Sequence, residues 1–331
     1  MPEISVIVPN YNHARFLPQR LESIFNQTFQ DFEVILLDDC STDNSVEILK
    51  GYSKRPNVSH FIVNKRNSGG TFKQWRKGIG LAKGEYIWIA ESDDVCEINF
   101  LEKVLTPIQQ NNKVGLVYCQ SWSIDDSGKK TGNWLNHTDD FNTTLFNSDF
   151  KYRGSDFVNE FLIQKNVIPN ASAIIFRKSV YEQSRGVNLK IRYCGDWYLW
   201  LKMLCLSDVF FISEQLNYFR RHENSVIYRA LNTVHSDKYF LEKSDKKMRQ
   251  FFASWLKMQS SDLPSIFETN RFYINKVNVD ESLFYIYDGT IIKSVKFSIR
   301  YFFLTGKPKV LLVPFKRILS LALRNAKGII K

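Results

Sequence analysis

The sequence of 331 residues is poor in the residues and spacings that mark disulfide-bonded and zinc-binding proteins. It has five cysteines, an odd number, and no two of them have the CxxC spacing. Its five histidines include no HExxH pair. A disulfide framework and a zinc site are therefore disfavoured, and the cysteine usage is typical of a reducing compartment.

Long apolar segments are absent as well. No apolar run approaches the roughly 18 residues that a transmembrane helix requires. The chain passes from Met1 directly into the β-branched residues 4–8, without the basic and apolar regions of a signal peptide. We therefore expect a cytoplasmic protein that has no transmembrane helix.

A glycine-rich phosphate-binding loop is missing near the start of the chain. The first predicted strand, residues 4–8, is followed by PNYNH at positions 9–13. A nicotinamide-dependent dehydrogenase would carry GxGxxG at that place, and a nucleotidyltransferase would also need a glycine-rich loop there. Both classes of enzyme are disfavoured.

Acidic residues are absent from residues 291–331, which contain ten Lys and Arg residues. This segment supplies +10 of the net charge of +11, which leaves +1 for residues 1–290. Aromatic and aliphatic residues lie between the cations, a pattern typical of a helix in the interface of an anionic membrane. A helical appendage with a solvated basic face is the alternative. Nucleic acid is disfavoured as a partner because no recognition motif accompanies the charge.

Predicted strands and helices alternate through the first 120 residues. The strands are residues 4–8, 33–37, 58–63, 86–90 and 114–119, and the helices are residues 14–27, 43–50, 71–82 and 98–111. This alternation predicts an α/β fold with a mostly parallel central sheet flanked by helices. Ligands of such sheets bind at the carboxyl ends of the strands.

Acidic residues follow two of the predicted strands. Asp38 and Asp39 end the second strand, and Glu91, Asp93 and Asp94 follow the fourth. An acid after a strand often only caps the next helix. Two such groups at one sheet edge would repel each other unless a cation lay among them, so the pattern favours a divalent metal ion that also binds a diphosphate.

Four short motifs lie in order along the same region. They are SVIVPNYN at residues 5–12, DDCSTD at 38–43, NSGG at 67–70 with GEYI at 84–87, and ESDD at 91–94. Together they resemble the motifs of the family 2 glycosyltransferases of the bacterial surface-polysaccharide type. The resemblance implies the type A nucleotide-diphospho-sugar transferase fold, a Rossmann-like architecture, with a catalytic domain at residues 1–227. Residues 228–331 would be a helical, basic C-terminal region.

The resemblance also implies roles for individual residues. The positions that would bind the donor are Pro9, Tyr11, Asp39, Asn67, Lys73 and Asp93. Asp39 would accept the ring N–H of the base. Asp94, Asp93 and His222 would hold Mn²⁺ or Mg²⁺ beside the diphosphate. Glu91 stands where the family more often has Asp, so the resemblance does not establish that it binds the metal.

The sequence GDWYLWLK at residues 195–202 resembles a later acidic motif of the family, in which Asp196 matches the catalytic base. Apolar residues after it would anchor a helix in the core, so that Asp196 projects from a rigid helix start. A plain helix cap is the alternative for Asp196.

Together these features predict an inverting glycosyltransferase. It would move a sugar from a nucleotide-diphospho-sugar, a UDP-sugar by the resemblance, to a saccharide or lipid-linked acceptor in surface polysaccharide biosynthesis. We expect it to lie peripherally on the inner face of the cell membrane. A non-catalytic sugar-binding or scaffold relative of the same fold is the alternative, which the presence of all four acids at 39, 93, 94 and 196 disfavours.

Overall fold

The computed structural model describes residues 1–168, 170–223, 225, 240–259, 263–287, 291–305, 307, 311–314 and 316. For residues 240–242, 284, 285 and 291 the description covers only the backbone. The chain divides into two compact units, Met1–His235 and Ser236–Lys331. The boundary predicted between residues 227 and 228 falls outside the described residues and stays a prediction.

In the described part of the first unit, ten strands form one sheet. They are β1 (Ile4–Asn10), β2 (Phe32–Asp38), β3 (Val58–Val63), β4 (Tyr86–Ile89), β5 (Val95–Cys96), β6 (Val114–Ile124), β7 (Lys130–Asn133), β8 (Phe150–Tyr152), β9 (Ile174–Arg177) and β10 (Asp208–Arg220). The order is β3-β2-β1-β4-β9-β6-β10-β5, with β7 beside β6 and β8 beside β10.

Helices flank this sheet along the chain. They are α1 (Leu17–Phe25), α2 (Ser45–Tyr52), α3 (Thr71–Leu81), α4 (Phe100–Gln110), α5 (Gly154–Phe157), α6 (Lys178–Gln183) and α7 (Gly195–Leu204). A π-helical turn, Val158–Leu162, continues α5. Short 3₁₀ turns occur at Leu135–Phe141, Leu145–Asn147 and Ala171–Ala173.

The predicted mostly parallel α/β architecture is confirmed. Strands β1, β2, β3 and β4 pair in parallel, as do β6 and β10. Strand β9 lies between β4 and β6 and is antiparallel to both. The fifth predicted strand, now β6, is therefore not adjacent to the fourth, because a strand from 50 residues later in the chain is inserted between them.

The two central strands β1 and β2 are buried along their whole length. Their β-branched and aliphatic residues pack into both layers of helices, which explains why the sequence shows a continuous apolar run rather than alternation. On one face of the sheet, Val6, Leu36 and Trp88 pack against α1 and α4 in a single apolar core.

A buried polar cluster ties the amino ends of these strands together. The Ser5 hydroxyl donates to Glu33 Oε1 over 2.7 Å and accepts from the backbone N–H of Gly84 over 2.8 Å. A Cβ at Gly84 would lie 2.6 Å from the backbone nitrogen of Ser5. The glycine of the GEYI motif is thus required by the close approach of two backbones.

The second unit contains three described helices, α8 (Phe240–Leu256), α9 (Pro264–Tyr287) and α10 (Ile291–Thr305). Glu281 on α9 accepts from Arg300 of α10 over 2.8 Å and from Lys246 of α8 over 3.2 Å. None of the described helices combines the length and the apolar character needed to cross a bilayer.

Candidate functional site

The carboxyl ends of β1, β2 and β4 meet at one edge of the sheet, since these strands are parallel and in contact. Asn10 at the end of β1 donates from Nδ2 to Asp38 Oδ2 at the end of β2, over 2.7 Å. Asp38 also accepts from the backbone N–H and the hydroxyl of Ser41. The carboxylate of Asp38 is completely buried, and its hydrogen bonds join the two loops.

Two residues at this edge have left-handed backbone conformations, Asn12 with φ of 57° and Cys40 with φ of 66°. The side-chain oxygen of Asn12 accepts a hydrogen bond from the backbone N–H of Thr42 over 2.7 Å, which holds the two turns side by side. Strained backbone that its surroundings hold in place is frequent at functional sites.

Asp39 lies next to this pair and has a different environment. Its Oδ1 accepts from Asn64 Nδ2, from the backbone N–H of Ser68 and from Gln74 Nε2, over 2.7 to 2.8 Å. Its Oδ2 accepts from the Ser68 hydroxyl over 2.7 Å. Among the described residues this second oxygen has a single donor, so it keeps acceptor capacity for another group.

The other predicted donor-binding residues surround Asp39. Asn67 donates to the backbone oxygen of Asp39 over 3.0 Å, and Lys73 donates to that of Ser68 over 2.5 Å. Pro9 is buried in β1, whereas the side chain of Tyr11 is 38% exposed. The structure thus brings these residues to one edge, and their role in donor binding stays a prediction.

Glu91 follows β4 and accepts from Trp75 Nε1 over 2.7 Å. Desolvation, followed by the charge of Asp93, raises the pKa of Glu91 to about 8. In the absence of a cation this carboxyl group is mostly protonated at neutral pH.

Asp93 lies beside two imidazole rings. His222 Nε2 is 2.9 Å from Asp93 Oδ2, and His13 Nδ1 is 2.8 Å from the hydroxyl of Ser92. Phe16 packs edge-on against both rings and fixes their positions. Desolvation would raise the pKa of Asp93, but the hydrogen bond from His222 and the charge of His13 outweigh it, so this pKa is lowered.

These three side chains fit a divalent cation. One ligand atom each from His13, Asp93 and His222 lies within 4.8 Å of the other two. With metal–ligand bonds of about 2.1 Å, three ligand atoms on one ion lie about 3.0 to 3.6 Å from one another, so the three side chains would close by up to about 1 to 2 Å on binding. His222 Nδ1 is buried and has no partner among the described residues.

Asp94 points into the protein, toward groups that bind its carboxylate. It accepts from Asn170 Nδ2 over 2.8 Å and from the backbone N–H of Arg220 over 2.9 Å. Burial, followed by the charge of Asp93, raises the pKa of Asp94 to about 7. Of the predicted metal ligands, Asp93 and His222 lie together with His13, and ligation by Asp94 stays a prediction that would require it to leave these donors.

Two arginines lie behind the acids. Arg20 is buried, with its guanidinium 4.7 Å from the ring of Trp88 and no hydrogen-bond acceptor among the described residues. Arg220 donates to the backbone oxygens of Asp93 and Asp125, each over 2.7 Å. Arg220 therefore connects the acidic loop to the turn at Asp125, which joins β6 to β7 in an antiparallel hairpin.

Asp196 lies in the first turn of α7, as the sequence predicts. Gly195 before it is pressed against α3, because a Cβ there would be 2.4 Å from the ring of Phe72. Phe72 also contacts Trp75, the donor to Glu91. These contacts place the start of α7 beside the start of α3, at the edge of the sheet that carries the acids.

The environment of Asp196 is desolvated, which raises its pKa. Its Oδ2 accepts one side-chain hydrogen bond, from Asn166 Nδ2 over 3.2 Å. Cys194 before the helix has φ of 59°, a left-handed conformation that turns the chain sharply into α7. The start of α7 thus presents a buried carboxyl group whose pKa is raised by desolvation.

Sequence reasoning missed His13, Asn166 and Arg220. His13 comes three residues after β1, so the rule that site residues follow strands could have found it. Asn166 carries no local signal, because it reaches the site through long-range packing, whereas Arg220 lies only two residues before His222. Trp200 is fully buried, as the helical spacing predicts, and Trp197 donates to the backbone oxygen of Leu162 within the core.

Relatives of this chain are glycosyltransferases. The chain is 29% identical to the glycosyltransferase GlyG of Streptococcus pneumoniae over 238 residues, which cover 68% of this chain and 72% of that protein. It is 26% identical to the chondroitin synthase of Pasteurella multocida over 291 residues, which cover 88% of this chain but only 26% of that longer protein.

Solved structures show the same fold at low sequence identity. S. aureus TarS 1-349 in complex with UDP-GlcNAc superposes with a TM-score of 0.67 at 16% identity, covering 96% of this chain and 83% of that one. The mannosyltransferase PcManGT of Pyrobaculum calidifontis, in complex with GDP-Man and Mn²⁺, has a TM-score of 0.53 at 15% identity, covering 96% and 87%. The predicted type A transferase fold is confirmed.

The family assignment rests on the sequence itself. The family model of Glycosyl transferase family 2 matches residues 5–183, which are more than half of the chain. The matched region contains the four motifs and every acid of the site except Asp196. The chain is therefore a glycosyltransferase that belongs to glycosyl transferase family 2.

Proposed function

We propose that the chain moves a sugar from a UDP-sugar to a hydroxyl group of a saccharide acceptor with inversion, and that Asp196 is the general base. The observation that carries this proposal is the separation of the acids at one sheet edge. Asp93 lies between imidazoles that suit a metal ion, whereas Asp196 stands alone in a desolvated position with a raised pKa.

The choice of UDP is supported by Asp39. Its Oδ2 has one donor among the described residues and can accept a second hydrogen bond, such as the ring N–H of uracil. Tyr11, partly exposed at the same edge, offers a flat surface for a base. TarS, which shares the fold, has been solved with UDP and with UDP-GlcNAc.

Transfer would be a single displacement. The acceptor hydroxyl gives its proton to the Asp196 carboxylate as its oxygen forms the new bond to the anomeric carbon. The bond from that carbon to the diphosphate breaks, and its electron pair leaves with the diphosphate. Attack from the face opposite the leaving group inverts the anomeric centre, and no covalent intermediate is needed.

Of the two candidate metals, we propose Mn²⁺. Mg²⁺ strongly prefers oxygen ligands, whereas two imidazoles and one carboxylate make a mixed nitrogen and oxygen set that Mn²⁺ accepts more readily. His13, Asp93 and His222 would hold the ion. When bound, it would offset the charge that develops on the leaving diphosphate.

We also propose that the second unit binds an anionic membrane and that the acceptor is a lipid-linked saccharide of surface polysaccharide assembly. Helix α10 exposes Ile292, Val295, Ile299 and Phe303, spaced three to four residues apart, so they form one apolar stripe. Lys293 and Lys296 beside it are exposed. This is the pattern of a helix that lies in a membrane interface.

Part of the predicted basic segment lies outside the described residues, namely Lys309, Arg317, Arg324, Lys327 and Lys331. The proposal for the membrane therefore stands on α10, whose cations Lys293, Lys296 and Arg300 are accompanied by no acid in the helix. Peripheral attachment to the inner face of the membrane would bring the active site to lipid-linked acceptors.

Asp196→Asn should remove transfer and leave donor binding intact. The amide cannot take a proton from the acceptor, and loss of a general base typically costs about 10² to 10⁴ in rate. UDP affinity, measured by calorimetry, should stay within about twofold because the base does not contact the nucleotide. Asp156→Asn is the matched control, an exposed acid in the first turn of α5. Near-normal turnover by Asp196→Asn would refute the role of the base.

Asn166→Ala should move the acid limb of the pH–rate profile to higher pH. The base works only when deprotonated, so activity is lost as pH falls through its pKa. Asn166 donates to the carboxylate and stabilises its charged form, and its removal should raise the pKa of Asp196 further. The pH dependence of kcat/KM measures this limb. The control is Asn111→Ala, a substitution at the opposite end of the sheet. An unmoved limb would show that another group titrates.

His13→Gln should weaken Mn²⁺ binding by about tenfold, the low end of the effects seen when a metal site loses a supporting group. The free ion can be quantified directly by electron paramagnetic resonance in the presence of UDP. His60→Gln provides the control, a histidine on β3 whose ring contacts the hydroxyl of Ser59. Unchanged Mn²⁺ affinity in His13→Gln would exclude this residue from the site.

Phe303→Ser should lower pelleting of the protein with phosphatidylglycerol vesicles by about tenfold in partition coefficient, because one large apolar side chain no longer enters the bilayer. Ile98→Ser, at an exposed apolar residue of the first unit, should have no effect. Equal pelleting of all three proteins would reject α10 as the membrane contact.

A further inference from the structure

An open cleft of about 520 Å³ lies beside the β6–β7 hairpin, apart from the residues assigned so far to donor and metal. Its walls include Ser123, Asn133, Trp134, His137 and Arg221. The cleft has the size of a small-molecule site. None of the residues that line it is acidic, and Arg221 is an exposed cation.

Arg221 is held in a fixed position at the wall of this cleft. Its guanidinium lies 5.1 Å from the centre of the Trp134 ring, a cation–π contact. Phe219 packs against the same ring at 5.5 Å and supports it. A pre-positioned guanidinium loses little freedom when it binds a carboxylate or a phosphate, which favours recognition of an anion.

Polar groups complete the lining. Trp134 Nε1 is a buried donor without a hydrogen-bond acceptor among the described residues, a costly state that a ligand oxygen or a water molecule would relieve. The side-chain amide of Asn133 is exposed, and the hydroxyls of Thr131 and Ser123 lie 3.3 Å apart. Amides, hydroxyls and an indole N–H are the groups that bind sugar hydroxyls.

The cleft is connected to the proposed base by two hydrogen bonds. His137 Nε2 donates to the backbone oxygen of Asn166 over 2.9 Å, and Asn166 Nδ2 donates to Asp196 Oδ2. Burial lowers the pKa of His137, so its ring is neutral at neutral pH and adds no charge. Arg221, which also lines the cleft, directly precedes His222 in the chain. The cleft is therefore linked through hydrogen bonds to the proposed base and through the chain to a residue that fits the metal.

We propose that this cleft is the acceptor subsite and that it selects a sugar carrying an anionic group, a carboxylate or a phosphate, which pairs with Arg221. The inference rests on the proposed function, because an acceptor subsite has a role only if the chain transfers a sugar with Asp196 as the base. Selection would come from charge, since a neutral sugar leaves the guanidinium without its partner.

The test is direct binding to the full chain in the presence of UDP and Mn²⁺, by isothermal titration calorimetry. Three probes share a pyranose ring: methyl β-glucuronide, methyl β-glucoside and methyl β-glucoside 6-phosphate. We expect an anionic probe to bind about tenfold more tightly than the neutral one, the effect of one charge-assisted hydrogen bond. Comparison of the two anionic probes identifies which anion the cleft prefers.

Two variants assign this preference to Arg221. Arg221→Gln should bind all three probes equally weakly, and Arg221→Lys should keep part of the preference because it keeps the charge. Arg55→Gln is the matched control, an exposed arginine that also lies over an aromatic ring, 5.2 Å from Phe25. It should behave as the unchanged chain.

Three results would overturn the inference. They are equal binding of neutral and anionic probes by the unchanged chain, an intact preference in Arg221→Gln, and a loss of UDP affinity in that variant without a change in probe binding. The last result would place Arg221 at the donor. Failure of the proposed function looks different, because the unchanged chain would then bind no UDP and transfer no sugar.

Discussion

The repulsion between carboxylates at the carboxyl edge of the sheet is the constraint on which the site depends. Glu91, Asp93 and Asp94 lie in a stretch of four residues after one strand, and burial destabilises their charged forms. The three carboxyl groups have different environments. The pKa of Asp93 is lowered beside two imidazoles, whereas the pKa values of Glu91 and Asp94 are raised. A divalent cation bound among these acids would relieve their repulsion.

The insertion of β9 between β4 and β6 contributes to the same arrangement. Because β9 is antiparallel to its neighbours, its amino end lies at the carboxyl edge. The turn before it therefore delivers Asn170 to Asp94 and the hydroxyl of Ser172 to the backbone N–H of Glu91, over 3.1 Å. The long strand β10 ends at the same edge and brings Arg220 and His222 to the acidic loop.

Much of this could be read from the sequence, for physical reasons. The strands β1, β2 and β4 are largely apolar runs followed by polar turns, so local pattern predicts them, and the alternation of strands and helices predicts their parallel pairing. Asp39, Asp93 and Asp94 were found because they follow predicted strands, and Asp196 was found through the resemblance of residues 195–202 to a motif of the family. The motif at residues 195–202 located α7 to within a residue at its start.

The remainder depends on contacts that no local pattern encodes. Strand β10 begins at Asp208 and continues through the polar residues 213–215, where its register with β6 shifts, so local pattern does not show its full length. Asn166 reaches Asp196 across 30 positions of chain, and Arg220 reaches Asp93 across 127. His13 lies beside Asp93 in the turn before α1, where Phe16 packs against both His13 and His222.

The most direct test of the central claim is the affinity for UDP with and without a divalent cation. If the acids at the sheet edge require a cation to accept a diphosphate, calorimetry should show UDP binding at least about tenfold tighter with Mn²⁺ than with EDTA. Equal affinity under the two conditions would contradict the account, because the acids would then tolerate the diphosphate without an intervening positive ion.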